Sequence, residues 1–115
     1  MKISKYRAKK KTVDNIVFHS TKEANYYIQL KRLKKAVNNS DRVVSIDFQP
    51  RYDYEIQYIA NGKVYKKKGF YKADFKVIYA DFRTEIIDVK GFKTAEYKRK
   101  KKIVEALYEI EIIEK

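Results

Sequence analysis

Phe70-Tyr71-Lys72-Ala73-Asp74-Phe75-Lys76-Val77-Ile78-Tyr79, followed across Asp81 by Thr84-Glu85-Ile86-Ile87-Asp88-Val89-Lys90-Gly91, decides how this chain is read. Successive side chains of an extended segment point to opposite faces. Tyr71, Ala73, Phe75, Val77 and Tyr79 therefore form one apolar face of the first run, with Asp74 on the other. In the second run Asp88 and Lys90, two apart, project the same way. An antiparallel turn centred on Asp81 sets Asp74 directly opposite Asp88, with Cβ atoms roughly 5 Å apart. A one-residue slip would send Asp74 to the other face. Like charges that close repel unless a cation lies between them or one is protonated. The spacing thus points to a divalent cation held by Asp74 and Asp88, with Lys90 beside it to meet a phosphate.

The flanking segments alternate between the two regular periods. Ser20, with Glu23 three residues on, makes a capping-box pattern at the start of a helix. Tyr26, Tyr27, Leu30, Leu33 and Val37 recur at helical spacing, and Asn38-Asn39-Ser40 ends the helix. Before it, residues 13–18 read as a short strand or turn. After it come a strand from Val43 to Gln49, a partly alternating one from Tyr52 to Ile59, and an Asn61-Gly62 hairpin turn leading into Val64 and Tyr65. Thr94 caps a second helix reaching about Leu107, and Glu109 to Ile113 form a last strand. Helix, antiparallel strands, helix and strand make a single mixed α/β (α+β) domain over residues 13–115, preceded by a mobile basic arm over residues 1–12.

Composition narrows the partners. The 115 residues carry 28 Lys and Arg against 15 Asp and Glu, a formal net charge of +13. The cations cluster at Lys2 to Lys11, at Lys66-Lys67-Lys68 and at Lys98 to Lys102, without acidic counterweight, which favours nucleic acid over a merely solvated surface. Five consecutive cations on a helix repel one another, and a phosphate backbone would relieve them, with Lys100 the one to point at the site. No cysteine means no disulfide or thiolate zinc site, which suits a reducing cytoplasm. No signal peptide or membrane span is expected. The sole histidine, His19, argues against designs needing several imidazoles, and Gly62, Gly69 and Gly91 form no phosphate-binding or dinucleotide fingerprint. Glu23 borders the helix stripe that packs inward. It reads both as a metal ligand and as the second half of the capping box, and the two roles can coexist.

Asp74, then Asp88-x-Lys90, with Glu23 on a preceding helix, resembles the PD-(D/E)XK nuclease superfamily. More closely, the chain is similar to a family of small phage proteins assigned to that superfamily. The likeness is carried by Lys5 to Lys10, Phe18-His19-Ser20-Thr21-Lys22-Glu23-Ala24, Tyr71 to Phe75, Asp88 to Thr94, and the lysine-rich helix that follows. Ala73 stands where the superfamily's name has proline. The resemblance implies a restriction-endonuclease-like core, a central mixed sheet flanked by helices. It implies Mg²⁺, with Mn²⁺ substituting, held by Asp74, Asp88, the backbone carbonyl of Val89 and Glu23, and Lys90 activating water and stabilising charge at the phosphate. Lys9, Lys10, Lys67, Lys68, Lys93, Lys98, Lys100 and Lys101 are the expected DNA contacts. Relatives include Holliday-junction resolvases, many of them dimers, so a homodimer and branched DNA enter the expectation. A non-catalytic DNA-binding accessory protein of phage replication or recombination is the rival reading, and an RNA-directed nuclease differs only in substrate.

Overall fold

The computed structural model describes residues 10–89 and 92–115. Strands β1 (Lys11–Val13) and β2 (Ile16–Phe18) form a small hairpin before helix α1 (Thr21–Arg32) and a 3₁₀ turn (Leu33–Lys35). Strands β3 (Val43–Phe48), β4 (Arg51–Ala60), β5 (Lys63–Lys72), β6 (Phe75–Tyr79) and β7 (Thr84–Asp88) follow, then helix α2 (Ala95–Tyr108) and strand β8 (Ile112–Glu114). The central sheet has the order β3-β6-β7-β8, antiparallel except for the parallel β7–β8 pair. The mixed sheet and the two helices agree with the expected class.

Alternation along β6 and β7 gives the sheet two buried faces. Phe75 pairs with Ile87, and together with Val77 and Tyr79 they pack under Ala24, Tyr27 and Leu30 of α1. The neighbouring Ile86, paired with Ile112, packs with Tyr97 and Val104 of α2. Both helices start on hydroxyl caps. Ser20 Oγ accepts from the Glu23 amide at 3.1 Å and Thr94 Oγ1 from the Tyr97 amide at 3.0 Å, each satisfying a donor the helix cannot.

Three details differ from the sequence reading. Asp14 and Asn15 both take left-handed φ, 52° and 63°, so residues 11–18 close into a hairpin and part of the expected mobile arm is strand β1. That hairpin is fastened to α1 by Asp14, whose Oδ2 accepts from the Tyr27 hydroxyl at 2.9 Å and pairs with Lys31 at 2.5 Å. Helix α1 stops at Arg32, where the chain tightens into the 3₁₀ turn and then extends at Ala36, and Val37, expected on its apolar stripe, is 90 % exposed.

The third difference matters most. β3 with β6, and β4 with β5, are one antiparallel pair in a common register, with Phe48 opposite Phe75 and Arg51 opposite Lys72. The pair is broken at a joint, Gln49-Pro50 against Ala73-Asp74. Gln49 takes a left-handed φ of 50°, and two backbone bonds cross the joint, Gln49 N–H to Asp74 O and Ala73 N–H to Pro50 O. The phase of alternation slips there by one residue. Tyr71 and Ala73 join the α2 side whereas Phe75, Val77 and Tyr79 face α1, so the single apolar face read from the sequence is split between the two sides of the sheet.

Beyond the joint, β4 and β5 run as a two-stranded ribbon turned by Asn61 and Gly62, with φ of 53° and 73°, as the sequence required. Its base is seated on α2, where the Tyr108 ring lies edge-on to Tyr52 at 5.0 Å and the Tyr108 hydroxyl donates to Asp53 O. Tyr54, itself buried, lies across Gly69 on the partner strand, and a Cβ at Gly69 would sit 2.4 Å from the Tyr54 oxygen. Gly69→Ala is therefore expected to destabilise the protein by about 1–3 kcal/mol through overpacking, read as a lower urea midpoint.

Candidate functional site

The joint and the end of β7 bring the two aspartates together. Continuing the β6–β7 register past Phe75 and Ile87 sets Asp74 opposite Asp88, and the Asp74 amide donates to Ile87 O at 3.0 Å. The two side chains are close enough for the charge of Asp88 to act on Asp74. Asp88 is fully buried on the α2 side of the sheet, where the Tyr71 hydroxyl donates to its Oδ2. Asp74 is half-buried, and its Oδ2 accepts from the Val89 amide at 2.7 Å. Burial first and then the negative charge of Asp88 push the Asp74 carboxyl from 3.8 up to about 8; the Val89 amide acts the other way. Burial and the neighbouring charge thus favour the protonated form of Asp74.

Two tyrosines extend the network. The Tyr71 ring lies 6.1 Å from that of Tyr97, whose hydroxyl donates to Glu114 Oε2 at 2.8 Å. Burial and the Asp88 carboxylate raise the Tyr71 phenol far above its ordinary range, so it stays a neutral donor. Tyr97 is raised as well, by burial first and then by Glu114. Glu114, in turn, is held below the usual carboxylate range by Tyr97 and by Lys93 and Lys101. Tyr71→Phe removes the donor from a fully buried carboxylate, and a loss of about 1–3 kcal/mol in stability is expected by chemical denaturation.

Glu23 is buried on α1, and its charge contributes to the upward shift at Asp74. Among the described residues no group of three His, Cys, Asp or Glu side chains is arranged to hold a metal ion. The structure thus unites Asp74 with Asp88 and brings the Val89 peptide to them, but does not complete the expected set with Glu23. Lys90 and Lys9 lie outside the described residues.

Two cavities reach the hydrogen-bond partners of the pair, Tyr71 and Val89, though neither is lined by an aspartate. One of about 270 Å³ is lined by Phe70, Tyr71, Lys72, Thr94, Glu96, Tyr97 and Lys100. The other, about 190 Å³ on the α1 side, is lined by Lys22, Asn25, Tyr26, Gln29, Val89 and Lys115. Lys100, expected to point at the site, lines the first cavity; it is paired with Glu96 at 3.4 Å and lies 5.4 Å from the Phe70 ring centre. Lys101 is shared between Glu105 and Glu114, and Lys93 is paired with Glu114 at 3.2 Å. Helical i,i+4 spacing and the return of β8 supply these carboxylates, so the lysine run is less bare than it reads in one dimension. Lys10, Lys67, Lys68 and Lys98 are exposed. Of the site residues, Tyr71 was missed because the slip at the joint is invisible in its own strand; Pro50, which interrupts the partner strand, was the available signal.

The chain belongs to the family described as protein of unknown function (DUF1064), which matches residues 3–112. No curated protein and no solved structure matches it. No helix among the described residues is long and apolar enough to cross a membrane.

Proposed function

We propose that this member of the DUF1064 family is a metal-dependent endodeoxyribonuclease that hydrolyses phosphodiester bonds. The observation that carries the reading is that Asp74 and Asp88 stand opposite each other at the end of β7, both withdrawn from solvent, so that the charge of one raises the pKa of the other. Two adjacent buried carboxyl groups do not both ionise without a counter-charge, and a hard cation can take the place of the proton that one of them keeps. Mg²⁺ is commonly bound through one or two carboxylates, with waters and a substrate phosphate completing its shell, so the pair fits it. The resemblance to the PD-(D/E)XK superfamily supports the same assignment of Asp74, Asp88, the Val89 carbonyl and Lys90.

When bound, the metal would polarise the scissile phosphate and lower the pKa of a coordinated water. The protein's own groups have separate tasks. Tyr71 holds Asp88 in one orientation, and the Val89 amide does the same for Asp74. Lys90 follows Asp88 by two residues and serves as the cation for charge developing on the phosphate. Lys72 and Lys100 line the cavity through which a phosphate backbone would pass. Glu23 contributes its field to Asp74 and is assigned no ligand role beyond that. Contact through phosphates favours recognition of shape, such as a branched junction, over sequence.

The accessory-protein reading has one observation in its favour: the described residues hold no ready-made set of three ligands. The two readings separate when the protein is incubated with linear duplex, single-stranded and four-way-junction DNA in Mn²⁺ or in EDTA. The nuclease produces cut product in Mn²⁺ alone; no product on any substrate leaves the accessory protein.

A further inference from the structure

The β4–β5 ribbon leaves the body of the protein with its outer half uncovered. From Gln57 to Lys68 every residue except Ala60 is exposed. The radius of gyration is 17.0 Å, against about 13 Å for a compact chain of this length. An unsupported two-stranded ribbon is only marginally stable in water. Here the seating of its base on α2 and the tight Asn61-Gly62 turn fix the projection.

The exposed half has an unusual composition. Between Ile56 and Lys67 it holds Lys63, Lys66 and Lys67 and no carboxylate. Lys68 is different, because Glu55 lies directly opposite it. Cross-strand pairing assigns the faces. Lys67 and Lys63 share one face with Tyr58 and Tyr65, whose rings stack at 5.4 Å with a 20° tilt; Lys66 shares the other with Ile59 and Val64. Both faces are thus cationic, and the cations are interleaved with exposed aromatic and apolar groups.

We propose that residues 57–68 are an arm that enters the major groove of B-form DNA, Lys63, Lys66 and Lys67 meeting backbone phosphates on the groove walls. This rests on the DNA partner of the preceding reading, though not on cleavage. The B-form major groove, about 12 Å wide, admits a two-stranded ribbon, and its walls carry negative charge on both sides. The major groove of A-form RNA is too deep and narrow to be read by side chains. A second copy of this chain would bring like charges on both faces together, which disfavours the ribbon as a self-interface.

The test is equilibrium binding in EDTA to a DNA duplex of two helical turns, to the RNA duplex of the same sequence, and to the single strand. Full-length protein is compared with Lys63→Ser/Lys66→Ser/Lys67→Ser. All three positions are exposed, so a circular-dichroism melt within a degree or two of the unchanged protein is the control. Expected are at least about tenfold tighter binding to duplex DNA than to duplex RNA, and a salt slope for DNA smaller by about 2–3 in the triple variant. Equal affinity for the two duplexes, or an unchanged slope, overturns the arm. So does a change of oligomeric state on gel filtration when Ile59 and Val64 are replaced by Ser. If the arm behaves as expected and no DNA is cut, the groove inference stands and the nuclease reading falls.

Discussion

Asp88→Asn is expected to abolish Mn²⁺-dependent cleavage while duplex binding in EDTA changes by less than about threefold. The replacement keeps the shape of a side chain that is fully buried and bonded to Tyr71, so the fold should be retained. What it removes is the charge that would balance a divalent cation next to Asp74. A loss on the order of 10²-fold or more matches the scale on which one group stabilising transition-state charge is felt. Lys90→Ala should give a loss of similar size, with binding again preserved. Rates are read from single-turnover cleavage of end-labelled DNA. Cutting at the original rate by Asp88→Asn would assign the activity to another protein and withdraw the hydrolytic reading.

The second large effect concerns stability rather than rate. In EDTA the protein is expected to lose stability as pH rises from about 4 toward 8. The sign follows from Asp74, whose folded pKa of about 8 lies above its ordinary value of 3.8. Between those values the native state binds more protons than the unfolded chain, so raising the pH favours unfolding. The loss levels off once pH exceeds the folded pKa. Asp74→Asn should flatten this dependence, because an amide can donate to Asp88 and accept from Val89 at any pH. At pH 9 it should be more stable than the unchanged protein by roughly 2 kcal/mol, seen as a higher thermal midpoint. The same variant should not cut DNA. Gain of stability with loss of activity marks a site where two carboxyl groups are kept adjacent despite their repulsion. A pair present only to hold the fold would show the opposite, with Asp74→Asn melting at lower temperature across the whole pH range.

Much of this arrangement could be read in one dimension. The Asp74–Asp88 pairing follows from alternation plus a turn at Asp81, because both residues are tied to a register set by the buried Phe75, Val77 and Ile87. The helix starts at Ser20 and Thr94 are local chemistry, one hydroxyl and one amide a few residues apart. The ribbon turn is carried by Asn61 and Gly62, which tolerate the left-handed backbone it needs. Harder to read were the ends of elements, such as the stop of α1 at Arg32, where the chain tightens into a 3₁₀ turn that no cap residue in the sequence announces.

The chain alone therefore determined that two acidic residues meet at the ends of neighbouring strands of a small, strongly basic α/β protein, since period, turn and charge are properties of nearby residues. Tertiary structure alone decided that Tyr71 crosses to the α2 side to hold Asp88, and that Glu114 of β8 returns to meet Lys93 and Lys101. It also decided that Asp74 is half-buried and retains its proton at neutral pH. Each of these depends on groups far apart in sequence meeting in a medium from which water is excluded, where the energy of a charge is set by its surroundings.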